Sequence, residues 1–257
     1  MKESTKANKI LLANELVIGL FVFLFSLYTI GVVEGAQPDN KVIDIPAEDA
    51  PRYLAYDPLN KRMYVTNFLK PTVSVIDTTT NTVIGSPISV TERDGIGDIE
   101  YDPVNKRMYV TQFPYNVSVI DTTTNTVIGN PISVGDQPVD RVSMHMEYDP
   151  VNKKMYVTHS SLKSVSLIDT TTNKVIGSPI PVRDGPRDIE YDPVNKRMYV
   201  TNFFNGTVTV IDTTTNTVIG SPINVTDGSS RIEYDPVNKR MYVANFSGKT
   251  VSVINVR

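Results

Sequence analysis

The sequence predicts an all-β protein, a five-bladed β-propeller whose blades are four-stranded antiparallel sheets. The block YDPVNKRMYV occurs three times unchanged, and two near-copies bring the total to five. Each copy continues into a second shared phrase, VSVIDTTTNTVIGSPI or a close variant. Repeats of about 40–50 residues built from short strands are typical of propellers, with one sheet per repeat. The blocks begin at Tyr56, Tyr101, Tyr148, Tyr191 and Tyr234, so successive starts differ by 45, 47, 43 and 43 residues.

Each repeat is expected to form four strands joined by tight turns. The turns contain Asp-Pro or Asp-Thr-Thr-Thr-Asn, compositions that favour hairpins. We predict that the turn aspartates, such as Asp57 and Asp77, accept hydrogen bonds from backbone amides. We also predict that the Tyr and Met of each RMYV phrase pack between blades. In the second repeat the four strands are placed at residues 98–101, 107–113, 116–121 and 126–132.

The two ends of the repeat array complement each other. The last repeat reaches only its third strand, at residues 250–256, whereas residues 41–46 match the fourth-strand phrase. We predict that this N-terminal strand completes the last blade, closes the ring and removes exposed sheet edges. The propeller is accordingly assigned to residues 37–257. An open solenoid that stacks end to end is the alternative.

Residues 1–36 differ in composition from the repeats. Lys2, Lys6 and Lys9 precede an uncharged apolar stretch at residues 16–33, which is almost long enough to span a bilayer. The stretch predicts one hydrophobic helix, either a retained transmembrane anchor or a signal peptide cleaved after Gly35 or Ala36. Positive charge on its N-terminal side keeps that end cytoplasmic and exports the remainder of the chain. The propeller is therefore expected outside the cytoplasm, anchored to the cell membrane or secreted.

Composition excludes several classes of function. The chain has no cysteine, so it forms neither disulfides nor thiolate metal sites. Its net charge of -3, with no cluster of Lys or Arg, argues against a nucleic-acid partner. Two histidines are too few for a multi-histidine copper cluster. No catalytic motif is recognisable, and we assign no catalytic residue.

The first strand of each blade is where a site is expected, because these strands line the central channel of a propeller. Alternate residues share one face of a strand, so the positions one and three before each YDP tyrosine should face the channel. His145 and Arg231 occupy two of these positions, and Tyr53 and Ala55 occupy those of the first blade. The remaining positions hold six carboxylates: Asp98, Glu100, Glu147, Asp188, Glu190 and Glu233.

Two interpretations of this acidic channel are open. Oxygen ligands suit Ca²⁺ or another hard cation, which predicts a metal site made by the six carboxylates, with His145 and Arg231 as further ligand contacts. A polar small ligand at the axis is a variant of the same hypothesis. Alternatively, the carboxylates pair with Lys or Arg of neighbouring blades or face solvent, and their recurrence reflects copying of the repeat.

Two further features break or decorate the repeat. The third copy carries an inserted stretch at residues 136–144 beside His145, which indicates either a source of specificity or a tolerated loop extension. Four N-x-S/T sequons predict possible glycosylation sites in an exported protein. Their asparagines are Asn116, Asn205, Asn224 and Asn245.

The MYVTN phrases, as at residues 63–67 and 198–202, together with the VSVID phrases, resemble the YVTN β-propeller repeat family. That family includes archaeal surface-layer proteins and YncE-like exported proteins, and the resemblance covers residues 41–257. It implies an extracellular, surface-associated binding or structural role and supplies no catalytic residue. Two departures stand out: family members often have seven blades, and the Asn is replaced by Gln112 and by Ser160 or His159 in the third repeat.

The sequence thus favours a non-catalytic binding or scaffold module at the cell surface. Its expected partners are a cell-envelope protein, a glycan or a second copy of itself. The alternative is an enzyme, such as a lactonase-like hydrolase or an oxidoreductase, that works through a metal-containing axial funnel.

Overall fold

The computed structural model describes residues 41–91, 95–135 and 144–256. Ile45–Arg257 forms one compact unit, and residues 41–44 belong to a separate unit. The described part of the compact unit consists of five antiparallel sheets and contains no helix. This architecture agrees with the predicted all-β fold and is consistent with a β-propeller-like arrangement.

The strands of each sheet follow one another along the chain as hairpins. Sheet 1 contains β1 (Pro51–Asp57), β2 (Arg62–Asn67), β3 (Thr72–Asp77), β4 (Thr82–Val83) and β5 (Ile88–Ser89). Sheet 2 contains β6 (Ile96–Asp102), β7 (Arg107–Gln112), β8 (Asn116–Asp121) and β9 (Thr126–Ser133). Sheet 3 contains β10 (Met146–Asp149), β11 (Lys154–His159), β12 (Ser164–Asp169), β13 (Lys174–Val175) and β14 (Ile180–Pro181). Sheet 4 contains β15 (Pro186–Asp192), β16 (Arg197–Asn202), β17 (Thr207–Asp212), β18 (Thr217–Val218) and β19 (Ile223–Asn224), and sheet 5 contains β20 (Ser229–Asp235), β21 (Arg240–Asn245) and β22 (Thr250–Asn255).

The hairpin turns have the predicted aspartate caps. In the first turn of sheet 2, Asp102 Oδ1 accepts hydrogen bonds from the amides of Val104 (2.9 Å) and Asn105 (3.1 Å). The left-handed residue of this turn is Lys106 (φ 56°) rather than Asn105, although asparagine tolerates that conformation better. Asn105 instead donates from Nδ2 to Asp102 Oδ2 at 2.7 Å. In the second turn the left-handed residue is an asparagine, Asn125, at φ 57°.

The outermost strand is weaker than the sequence suggests. In sheets 1, 3 and 4 it is divided into two-residue pieces at Gly-Ser-Pro, while in sheet 2 β9 is continuous. Gly85, Gly129, Gly177 and Gly220 all have φ between 63° and 68°, a conformation that favours glycine, and proline lacks a donor for the ladder. Few ladder bonds therefore hold this strand.

The hydrophobic core lies between successive sheets. Each sheet has a Tyr face, which in sheet 1 carries Tyr64, Val73 and Val75, and an opposite Met face, which in sheet 2 carries Met108 and Tyr101. The Tyr face of one sheet packs on the Met face of the next, and this contact recurs four times along the chain. Burial of large side chains on both faces is what makes each sheet depend on its neighbours.

A recurring set of hydrogen bonds, here called the clamp, fastens sheets 1, 2 and 3 each to the second turn of the following sheet. Tyr64 Oη donates to Asn125 Oδ1 at 2.6 Å, and Arg62 Nη1 donates to the carbonyl oxygen of Thr122 at 2.8 Å. Sheets 2 and 3 are joined in the same way by Tyr109 and Asn173 (2.7 Å). Sheets 3 and 4 are joined by the Tyr156 and Asn216 pair at 2.8 Å. The recurring Tyr therefore contributes both buried area and a cross-sheet bond.

The predicted closing strand is wrong in this structure. Residues 41–47 form no strand, and within the described residues β22 pairs only with β21, so sheet 5 has three strands. Val42 and Ile43 remain exposed. The outer strands of sheets 1, 3 and 4 each follow their third strand through a short Asp-Thr-Thr-Thr-Asn turn, and residues 41–46 lack such a tether. Ordering a free segment costs backbone entropy that so few ladder bonds do not offset.

The predicted hydrophobic helix and the 1–36 segment lie outside the described residues. In the part of the chain that the structure describes, no helix is long and apolar enough to cross a membrane.

We expect Asn125→Gly to destabilise the fold more than Asn81→Gly. Both asparagines have φ 57°, so glycine removes only the side chain, but Asn125 accepts two clamp bonds and Asn81 lies exposed in sheet 1. Loss of a buried acceptor costs about 1–3 kcal/mol. Chemical denaturation of the two variants measures the difference, and equal losses of unfolding free energy would contradict the clamp.

Candidate functional site

The structure brings all eight predicted channel residues into one cavity. Strands β1, β6, β10, β15 and β20 contact each other in that order, so the first strands of the sheets share an axis. The cavity at this axis has a volume of about 560 Å³ and is lined by residues of all five sheets. Its charged and polar lining contains Asp98, Glu100, His145, Glu147, Asp188, Glu190, Arg231 and Glu233.

The glutamates at the centre of the channel favour the protonated form. Burial, followed by the negative charges of Asp98 and Glu190, raises the pKa of Glu100 to about 8. Burial and repulsion from Glu233 and Asp188 likewise raise the pKa of Glu190 to about 8. The pKa of Glu147 is raised well above its usual value by burial, Glu100 and Glu190. Glu100, Glu147 and Glu190 are therefore largely protonated near neutral pH, and a cation entering the channel would shift these carboxyls back toward the ionised state.

One mouth of the channel is formed by a charged network. His145 Nδ1 lies 3.5 Å from Asp98 Oδ2, 3.7 Å from Asp188 Oδ1 and 3.2 Å from Arg231 Nη1. Arg231 Nη1 is also 3.5 Å from Asp188 Oδ1, and the arginine side chain is about half exposed. The ring of Tyr53 packs edge-on against His145, with centroids 5.7 Å apart. This mouth thus holds the only two basic side chains, His145 and Arg231, among the eight predicted residues.

The two aspartates of the network also join sheets. Asp98 Oδ2 accepts a hydrogen bond from the amide of Met146 in sheet 3 at 2.9 Å, and Asp188 Oδ2 accepts one from the amide of Ile232 in sheet 5 at 3.0 Å. Burial raises the pKa of Asp188, while His145 and the Ile232 amide oppose that rise. Asp98 and Asp188 therefore act in part as structural groups that connect neighbouring sheets.

Local backbone irregularities orient the channel residues. The pairing of the first and second strands shifts register near the channel mouth in sheets 1, 2, 4 and 5. The threonine of the YVT phrase bonds to the first strand here: Thr201 Oγ1 accepts a bond from the Asp188 amide at 2.9 Å. In sheet 3, where the pairing shows no such shift, Thr158 Oγ1 accepts a bond from the His145 amide at the same distance. Bulges of this kind re-aim side chains. The sequence predictions gave this threonine no role, although its recurrence in the strand next to the site is a visible signal.

The channel has a second mouth that the sequence did not predict. A cavity of about 740 Å³ lies at the other end of the first strands and shares Glu100, Glu147 and Glu190 with the first cavity. Its wall is formed by the recurring Tyr and Pro of the YDP turns, such as Tyr101 and Pro103. The two mouths thus differ in chemistry, one charged and the other aromatic, with the glutamates between them.

The described residues contain no group of three or more His, Asp or Glu side chains arranged to hold a metal ion. The predicted Ca²⁺ site therefore stays a prediction.

His159 occupies the position of the YVTN asparagine in sheet 3. Asn202 Nδ2 donates to Thr209 Oγ1 at 2.9 Å, and Gln112 bonds to Ser118 and to the Val90 carbonyl. His159 is completely buried, and neither ring nitrogen has a hydrogen-bond partner among the described residues. Burial lowers its pKa to about 4. The imidazole is therefore neutral and poorly satisfied compared with the amides it replaces.

The four sequon asparagines lie in different environments. Asn245 is buried, and its Nδ2 donates to Thr250 and Ser252, so glycosylation of this nitrogen, which stays a prediction, would break both bonds. Asn116 is half-buried at the start of β8. Asn205 and Asn224 are exposed, and glycosylation there stays a prediction. The inserted stretch at 136–144 lies outside the described residues except for Met144.

Comparisons with known proteins give the fold alone. No family model matches the sequence, so membership of the YVTN family stays a prediction, and no curated protein matches it. A functionally unknown protein from Desulfotomaculum acetoxidans is similar in structure, with a TM-score of 0.62 and 18% identity over 81% of this chain and 70% of that one. The hydrazine synthase of Kuenenia stuttgartiensis has a TM-score of 0.52 and 17% identity over 80% of this chain and 83% of that one.

We expect the channel glutamates to make the fold less stable as pH rises from about 5 to about 8. A carboxyl with a raised pKa keeps its proton in the folded state after the unfolded chain has lost it, so the free energy of unfolding falls with pH across that window. Glu147→Gln should reduce this fall. Thermal melts at pH 5, 6.5 and 8 test it, with Glu48→Gln, a partly exposed carboxyl outside the channel that pairs with Lys70, as the control. If stability falls with pH as steeply in Glu147→Gln as in the native chain, the raised pKa assigned to the channel glutamates is contradicted.

The buried imidazole has the opposite effect. With a folded-state pKa of about 4 against an ordinary 6.5, His159 binds its proton only on unfolding, so it removes stability as pH falls from about 6.5 to about 4. We expect His159→Asn to restore the cross-strand bonds of the other sheets and to gain stability, by roughly 3 kcal/mol more at pH 4 than at pH 7.5. Denaturant titrations at the two values measure this. An equal gain at both would show that the proton is not involved.

Proposed function

We propose that this chain is a non-catalytic binding module outside the cytoplasm, and that its axial cavity receives a cationic group of the bound molecule. The observation that carries the proposal is the imbalance of charge at the axis. Six carboxylates meet one arginine and one histidine in a single cavity, and mutual repulsion with burial raises the pKa of at least three of them. A bound cation would favour the ionised form of these carboxyls and offset the repulsion between them.

The size and layout of the cavity support an organic cation. A volume of about 560 Å³ lies within the range of small-molecule sites, roughly 300–1,000 Å³. The glutamates come from four different sheets and so are distributed along and around the channel. An ammonium group can exchange hydrogen bonds with several carboxyls without a fixed coordination geometry. A lysine side chain or terminal amine of a cell-envelope protein would supply such a group.

Location outside the cytoplasm rests on the apolar stretch at residues 16–33 and the positive charge before it. A membrane-anchored or secreted module of this kind would act as a scaffold at the cell surface. The enzyme alternative, with a metal-containing funnel, has no specific observation among the described residues in its favour.

We expect cation binding at pH 7 to release protons. Carboxyls with pKa near 8 are largely protonated at pH 7, so a bound cation must displace part of that proton population. Calorimetric titrations of spermidine, and separately of CaCl₂, in two buffers of different ionisation enthalpy measure the proton count directly. Binding of spermidine favours the organic cation, and binding of calcium alone favours a metal.

Glu100→Gln should weaken binding about tenfold or more, since a single lost charge contact of about 1.4 kcal/mol corresponds to a factor of ten. The matched control is Asp184→Asn, a surface aspartate paired with Lys163. Failure of both probes to bind, or equal effects of the two substitutions, would refute the axial site.

A further inference from the structure

The stack of sheets ends in two apolar faces that no described residue covers. On the Tyr face of sheet 5, Val251 is 62% exposed and Val253 is 50% exposed, whereas their equivalents in sheet 1, Val73 and Val75, are 0% and 1% exposed. Tyr242 is likewise partly exposed, although the equivalent tyrosines of sheets 1 to 4 are buried. Sheet 5 thus presents a face that every other sheet packs away.

The opposite end of the stack is exposed in the complementary way. On the Met face of sheet 1, Leu54 is 64% exposed and Tyr56 is 46% exposed. Their equivalents in sheet 2, Ile99 and Tyr101, are buried in the core between sheets 1 and 2. The chain therefore has one free Tyr face and one free Met face, which are the two halves of the contact that it makes four times internally.

The polar groups of the clamp are also divided between these two ends. Sheet 5 carries Arg240 and Tyr242 at the positions of Arg62 and Tyr64, and no turn of a following sheet lies against them in the described chain. Sheet 1 carries the corresponding acceptor turn, with Thr78 half-buried and Asn81 exposed. In sheets 2, 3 and 4 the equivalent threonines are completely buried under the preceding sheet. Sheet 5 thus carries the donors of a clamp, and sheet 1 carries the matching acceptor turn.

We propose that sheet 5 of one copy docks on sheet 1 of a second copy, face to face and with the clamp formed between chains. The occupant is a second copy because this chain presents a Met face with an adjoining Asp-Thr-Thr-Thr-Asn turn, which is the surface that its Tyr faces already bind. Such a contact is heterologous: each copy uses two different surfaces, so the assembly either closes into a ring or extends as a filament. The contact continues the internal stacking across the chain boundary. Leu54, Tyr242 and Val251 also line the axial cavity, so the docked copy would lie at the edge of that cavity.

Two substitutions block one end each without touching the core. Val251→Glu places a charge on the free Tyr face, and Leu54→Glu places one on the free Met face. Both side chains are already more than half exposed, so we expect thermal melts close to that of the native chain. Val194→Glu, at a 55% exposed turn position of sheet 4 away from both end faces, is the matched control.

The full-length chain in a mild detergent, analysed by sedimentation velocity over a dilution series, tests the docking. The native chain and Val194→Glu should associate as concentration rises, whereas Val251→Glu and Leu54→Glu should each stay monomeric. A 1:1 mixture of the two blocked variants should give a dimer and nothing larger, because one intact Tyr face meets one intact Met face. A native chain that is monomeric throughout, including one whose two end faces pack on each other, overturns the proposal. Association that survives both single substitutions also overturns it.

Discussion

The contact between the Tyr face of one sheet and the Met face of the next is the interaction on which the rest of the structure depends. A single sheet of this chain has short outer strands and two apolar faces, so it is not stable in isolation. Packing buries both faces, and the clamp adds a specific register, because Tyr64 reaches Asn125 only if the sheets are correctly aligned. The same alignment places every first strand at one axis. The packing between sheets therefore both stabilises the fold and forms the axial cavity.

The packing of the sheets around one axis also produces electrostatic repulsion there. Stacking the repeats brings Glu100, Glu147 and Glu190 together in a partly buried channel, where their charges repel. The chain accommodates them by protonation, and at the mouth by His145 and Arg231 among the aspartates. Ring closure by residues 41–46 is not required for this convergence, since the eight channel residues share a cavity although sheet 5 lacks a fourth strand.

The repeat pattern was sufficient to predict the five sheets and the channel residues because it is dominated by local rules. Strand β8 matches its predicted bounds, and β6 begins two residues earlier and ends one residue later than predicted. The features that the sequence did not predict depend on tertiary contacts. The outer strand is too weakly bonded for residues 41–46 to replace it without a tether. The lack of hydrogen-bond partners for His159 depends on which side chains lie opposite it in the sheet. The amide bonds of Asp98 and Asp188 depend on the offset between adjacent sheets, which no period reports.

The measurement that tests the convergence of the sheets most directly is a carbon-13 NMR titration of the glutamate side-chain carboxyls, with resonances assigned by single Glu→Gln variants. If packing brings the first strands to one axis, Glu100 and Glu190 will titrate near pH 8, and Glu147 well above the usual range. If all three titrate between about 4 and 5, as isolated carboxyls do, the sheets do not converge as described.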